Sequence, residues 1–241
     1  MNHASCITGG VGAHVHISVH HSGGGKHSSS SSNDPSASLA PALTPTERSF
    51  LQGLLTHLPA LCAFTLPTPS SYGRVADHIF SGGTYAVWGT DNREASIRLA
   101  GGPGTYHFEV RTSDATASPY ISFAAIIASG LLGVLGGERL KMGDCPDNVS
   151  EMGEEERRKL GVDKARKLPT TIEEARKNLE EDKALRGVLG EEFLGEYLKV
   201  NKVCLDVFSL NLGSDGFPQV LQDILTEGDA ETQLKELIGV Y

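Results

Sequence analysis

Gly10-Val11-Gly12-Ala13-His14-Val15-His16-Ile17-Ser18 and Tyr106-His107-Phe108-Glu109-Val110-Arg111 are the two stretches on which the fold turns. Each alternates polar and apolar residues with period two, which reads as a strand with one wet face. The first puts His14, His16 and Ser18 on one face, with Val15, Ile17 and Val19 behind. The second sets His107, Glu109 and Arg111 against Phe108 and Val110. Side by side, they would offer an imidazole and a carboxylate to a metal, and a guanidinium to an anion. A solvated antiparallel sheet alternates in the same way, and its surface carries such residues too. Two histidines two apart, behind a glycine-rich turn that lets a ligand approach the backbone, favour a site.

Outward from these strands, composition narrows the choices. The 241 residues suffice for one sizeable core or two small ones. A net charge of −9 argues against nucleic acid, which favours a basic face. The four cysteines stand far apart with no C-x-x-C pair, so reduced thiols in a cytoplasmic setting are expected. The N-terminus shows no basic stretch followed by an apolar run, so no secretory signal is read there. The uncharged segment from Ala115 to Gly137 approaches the length of a membrane span. It is rich in Ala, Ser and Gly, contains Pro119 and lacks basic flanks, which predicts a buried helix packed on a sheet instead.

His20 to Ala42 is of low complexity, and an insertion over 20–43 is expected to be flexible. Its His20, His21 and His27 would hold metal only adventitiously. Thr44-Pro45-Thr46-Glu47 starts a helix, with Thr44 as N-cap and Phe50, Leu51, Leu54, Leu55, Leu58 and Leu61 as the apolar stripe. From Ser70 to Asp114 the pattern is strands and loops, with Gly82-Gly83 and Gly101-Gly102-Pro103-Gly104 marking turns. The basic residues there are Arg74, Arg93, Arg98 and Arg111, with no lysine. Arginine's planar fork suits carboxylate or phosphate; structural bridges to Asp77, Asp91, Glu94 or Asp114 explain them equally well. Beyond a charged stretch to Lys167, helices are predicted over Thr171 to Lys183 and from Gly187 to about Val207. Two shorter ones follow around 219–225 and 230–238.

In order, the motifs are Gly-x-Gly-x-His14-x-His16-x-Ser18, Ser71-Tyr72-Gly73-Arg74, Trp88-Gly89-Thr90-Asp91-Asn92-Arg93 and Ile97-Arg98. Phe108-Glu109-Val110-Arg111, Ser118-Pro119-Tyr120 and Leu168-Pro169-Thr170-Thr171-Ile172-Glu173-Glu174-Ala175 complete the series. From about Gly9 to Leu205 this order resembles the C-terminal part of a glutamine synthetase catalytic domain. The resemblance is nearest to the glutamine-synthetase-like domain of fungal developmental proteins. It implies an α+β fold: part of a curved antiparallel sheet with helices packed outside, truncated, with a helical C-terminus. Residues 1–205 would be that domain portion and 206–241 a helical tail.

The resemblance also implies roles. His14 and Glu109 would ligate a divalent metal, Mg²⁺ or Mn²⁺. His16 and Ser18 would contact the phosphates of ATP, the co-substrate. Gly10 would lie beside the amino-acid substrate, Arg74 would clamp its carboxylate, and Arg111 would touch substrate or intermediate. Arg93 and Arg98 would neutralise the transferring phosphoryl group and count as nucleotide-binding and catalytic. The implied activity is an ATP-dependent carboxylate–amine ligation through an acyl phosphate. It would join small-molecule carboxylate and amine substrates in the cytoplasm, away from nucleic acid and membranes. A homo-oligomer is expected if an N-terminal half is present.

Three departures accompany this. The window His78-Ile79-Phe80-Ser81-Gly82-Gly83 lacks the flap glutamate that the family uses to bind ammonium. His107 stands where arginine is usual, and Ser118 where asparagine is usual. The chain also starts at the glycine-rich turn, so the family's earlier catalytic strands and the other metal site's glutamates are not in it. The alternative reading is therefore a non-catalytic developmental or assembly protein on a degenerate synthetase scaffold.

Overall fold

The two alternating stretches form strands β1 (Val15–Ile17) and β4 (His107–Val110), paired antiparallel with His16 opposite Glu109. The computed structural model describes residues 12–20 and 34–209. In it β3 (Ile97–Ala100) flanks β4, again antiparallel, and β2 (Trp88–Thr90) completes an open four-stranded sheet in the order β1-β4-β3-β2. β2 and β3 run parallel, so the sheet is mixed where a purely antiparallel one was expected. Parallel neighbours usually need a long crossover. Here the 91–96 connection is short, turned by Asp91 at a φ of 53° and held by Asn92, whose amide donates to the Cys145 carbonyl. The Cys145 amide donates to the Trp88 carbonyl and the Thr90 amide to Asp144, which covers the outer edge of β2. Among the described residues, β1 has no strand on its other side.

The apolar sheet face, with Ile97, Leu99, Phe108 and Val110 buried, lies toward α1 (Pro45–Thr65). The Phe108 ring stacks on Phe50 of that helix, centroids 6.1 Å apart. α1 starts as its capping box predicts, Thr44 and Glu47 bonding each other's backbone amides. Its other faces are buried too, so the predicted stripe understates its burial. The principal partner of α2 (Pro119–Leu135) is α1 rather than the expected sheet. Gly53 and Gly133 permit that crossing, because a Cβ on Gly53 would come within 2.8 Å of the Gly133 nitrogen. The opposite face of α2 stays exposed: Tyr120, Phe123, Ile127, Leu131 and Leu135. No helix of the described residues is long and apolar enough to cross a membrane.

Within the insertion predicted over 20–43, residues 21–33 lie outside the described ones. From Asp34 onward the expectation of flexibility is corrected. A 3-10 turn spans Pro35–Ala37, and Ala40 and Leu43 are buried. The buried Arg48 of α1 donates to Asp34 at 3.0 Å and to the Leu43 carbonyl at 2.5 Å. A buried guanidinium needs such partners, and they draw this segment onto the core.

Four helices follow: α3 (Glu154–Leu160), α4 (Ile172–Glu181), α5 (Lys183–Leu189) and α6 (Glu191–Ser209). The helix predicted from Gly187 is divided at Gly190, whose φ of 94° no helix accommodates. Asp182 closes α4 and caps α5 through the Leu185 amide. Its other oxygen sits 2.6 Å from His57 Nδ1 of α1. The chain divides into two compact units, residues 1–194 and 195–241, and the sheet belongs to the first. The helices predicted near 219–225 and 230–238 lie outside the described residues. Cys62 and Cys145 are free and buried, and burial pushes their thiols up to about 12 and about 11.

Candidate active site on the polar sheet face

Glu109 projects to the polar side of β4, yet it is only 2% exposed. Cations cover it. His14 Nδ1 lies 2.7 Å from Oε1, the Arg111 guanidinium donates to the same oxygen, and Arg98 Nε stands 2.7 Å from Oε2. Register explains the convergence: Arg98 of β3 and His16 of β1 are both directly opposite Glu109. The Arg98 contact is an ion pair without a directed hydrogen bond, for Nε and Oε2 are both buried and unbonded. Oε2 is thus a hard oxygen donor held in place but not saturated. His14 is pushed below the usual imidazole range by burial and by the charge of Arg111, with Arg74 adding to this and Glu109 opposing it. A neutral imidazole results, suited to donate a lone pair. Burial also lowers Arg111 from its ordinary value, helped by Arg98 and Arg93 nearby and resisted by Glu109.

Arg74 comes to the same face from the end of the 3-10 turn Pro69–Arg74. Its guanidinium lies against Gly12, where any Cβ would collide with it. A side chain at 12 would displace the Arg74 guanidinium. Arg93 follows β2 and borders a cleft of about 440 Å³ with Phe80, Asp91, Glu94 and Glu151. His16 is exposed, its ring centre 5.1 Å from that of His107. Ser18 is exposed at the end of β1. Gly10 lies outside the described residues. The fold therefore gathers His14, His16, Arg74, Arg98, Glu109 and Arg111 on one face, with Arg93 at its rim.

Sequence reasoning passed over Glu94. Its carboxylate accepts from the amides of His78 at 3.0 Å and Phe80 at 2.8 Å, and from Asn148 at 3.0 Å. His78 and Phe80 both have left-handed φ, 65° and 55°, a strained backbone for such residues that these bonds hold. Arg111 donates to the Phe80 carbonyl at 2.6 Å, and Ser81 to the Arg74 carbonyl. The loop that lacks a flap carboxylate is thereby wired to the residues that surround Glu109. A glutamate following Asn92-Arg93 is the one signal the sequence offers, and by residue type alone it counts only as an ion-pair partner.

The sequence pattern of the family described as "Glutamine synthetase, catalytic domain" matches residues 3–214. The chain belongs to that family. It is 41% identical over 156 residues to protein fluG of Emericella nidulans, covering 65% of this chain and 18% of that protein. Glutamine synthetase of Pyrococcus abyssi is 39% identical over 154 residues, covering 63% of this chain and 34% of the enzyme. The fold matches a crystal structure described as a novel glutamine synthase homolog, with a TM-score of 0.60 and 29% identity. That match covers 85% of this chain and 43% of the other. The chain thus spans less than half the length of these relatives. Within this glutamine synthetase domain, no group of three or more His, Cys, Asp or Glu among the described residues could hold a metal.

Proposed function

We propose that this chain carries the nucleotide and metal face of an ATP-dependent carboxylate–amine ligase of glutamine synthetase type, working in the cytoplasm. The observation that carries this is the buried, incompletely bonded Glu109 carboxylate among His14, Arg98 and Arg111. Glu109 and His14 would hold a hard divalent ion, Mg²⁺ or Mn²⁺, once their direct contact opens, because Nδ1 of His14 now faces Oε1 at 2.7 Å. Such an ion, when bound, supplies charge neutralisation for a phosphate and a Lewis-acid contact. Two donors are too few for a complete shell, so further oxygens must come from ATP, water or residues outside this chain.

The chain's own residues then divide the work. Arg98, which makes no directed bond to Glu109, can swing to a phosphoryl oxygen while Arg111 keeps the carboxylate in place. Arg93 approaches from the rim and adds positive charge where charge develops in phosphoryl transfer. Arg74, packed on Gly12, presents its fork to the substrate carboxylate, and His16 and Ser18 lie exposed where phosphates would run. With no carboxylate in the 78–83 loop, the amine is not deprotonated there, and an amine other than ammonium is favoured. The enzyme reading includes assembly into a homo-oligomer, because the chain offers only part of the ligand shell.

The test is calorimetric titration of the whole chain with a non-hydrolysable ATP analogue, with and without Mg²⁺. Metal-dependent binding that falls at least tenfold in Glu109→Gln and Arg98→Ala supports the ligase reading. Metal-independent binding, or none, favours a degenerate scaffold. The guanidiniums of Arg98 and Arg111 beside Glu109 lean that way, because they already offset its charge.

A further inference from the structure

We infer that His16 and His107 form a second cation site, for a borderline transition ion of the zinc or nickel class, beside the hard-cation pair His14 and Glu109. In the antiparallel register His16 faces Glu109, and His107 is two residues before Glu109, so both rings stand on the polar face. Their centroids are 5.1 Å apart with planes tilted by 42°. Two imidazoles on one tetrahedral ion, each bonded at about 2 Å, place their ring centres roughly 5 Å apart. The ring separation in the fold therefore matches that spacing.

The hydrogen bonding agrees. His107 Nδ1 lies 3.1 Å from the Thr105 carbonyl, which can only accept, so this nitrogen carries the hydrogen. The lone pair is left on Nε2, and a carbonyl behind a ligating histidine is the usual orienting arrangement. His16 has no hydrogen-bond partner among the described residues and is exposed. The carboxylate opposite it, Glu109, is paired through Oε1 with His14 rather than with His16. Nitrogen donors select zinc, nickel or copper over magnesium, which prefers oxygen. Water or a ligand completes the shell, since no third His, Cys, Asp or Glu joins the pair among the described residues. The inference does not depend on the ligase reading. If both hold, an ion here stands beside the phosphate path and competes with nucleotide.

The experiment is titration of the whole chain with Ni²⁺ alone, without Mg²⁺ or nucleotide, in a background carrying His3→Ala, His20→Ala, His21→Ala and His27→Ala. A saturable site is expected that is weakened at least tenfold both by His16→Ala and by His107→Arg. Ni²⁺-induced broadening of the His16 and His107 ring resonances, with unchanged circular dichroism in the variants, excludes misfolding as the cause. No saturable site, or one lost with His14→Ala but kept in His107→Arg, overturns the inference.

Discussion

Two guanidiniums and an imidazole converge on the Glu109 carboxylate, so its removal would leave Arg98 and Arg111 buried without their counter-charge. Breaking such a buried cluster costs about 3 kcal/mol or more. Glu109→Ala should lower the denaturation midpoint accordingly, whereas Arg98→Ala, which deletes a contact without a directed hydrogen bond, should cost much less. Chemical denaturation of the two variants makes the comparison. Glu94→Ala acts elsewhere, orphaning the His78 and Phe80 amides, for a loss of about 1–2 kcal/mol. Hydrogen exchange should show these two amides opening faster while those of β4 are unchanged. At this scale alternation made His14, Glu109 and Arg111 legible as polar-face residues, while Arg98 stood out only as one of four arginines and through the family resemblance. Glu94 was not, because its partners are backbone amides of a loop, which no side-chain periodicity reports.

Among the elements, α1 is the spine against which the sheet, α2 and α4 are set, and its crossing with α2 tolerates no side chain at Gly133. Gly133→Ala should cost about 1–3 kcal/mol by overpacking, against a small gain at the exposed Gly137 if that position were not left-handed. Thermal melting of the first variant is the check. The His57–Asp182 pair ties α1 to the junction of α4 and α5. Burial opposes ionisation of Asp182, but bonds from His57 and the Leu185 amide outweigh it and hold the carboxyl below its ordinary range. The unfolded chain therefore takes the proton first. Stability from this group is complete above about pH 4 and is lost as pH falls through the lowered value. Asp182→Ala should cost about 3 kcal/mol at neutral pH and flatten the acid limb of the stability profile. Helix starts were legible because caps are local; the parallel β2–β3 pair was not, since pairing direction depends on contacts distant in sequence.

For the whole molecule, the decisive surfaces are the exposed apolar stripe of α2 and the outer edge of β1, which no described strand covers. An apolar stripe and an open edge both promote association. Sedimentation velocity at rising concentration should show self-association of this chain. Leu131→Glu with Leu135→Lys should reduce it without lowering the melting temperature, because both residues are exposed. A concentration-independent monomer in the unmodified chain would show that these surfaces are covered by its own residues.

By itself, the sequence determined the family, the helix boundaries set by Thr44 and Thr171, and which residues share the polar sheet face. Alternation and capping are written in neighbouring residues, so they survive without coordinates. Only the tertiary structure decided that Asp34 to Leu43 folds onto Arg48, that α2 lies on α1, and that the 78–80 loop is fastened to Glu94 and Arg111. Each of these rests on satisfying a buried charge, a close helix approach or a strained backbone, and those demands arise only once distant segments meet.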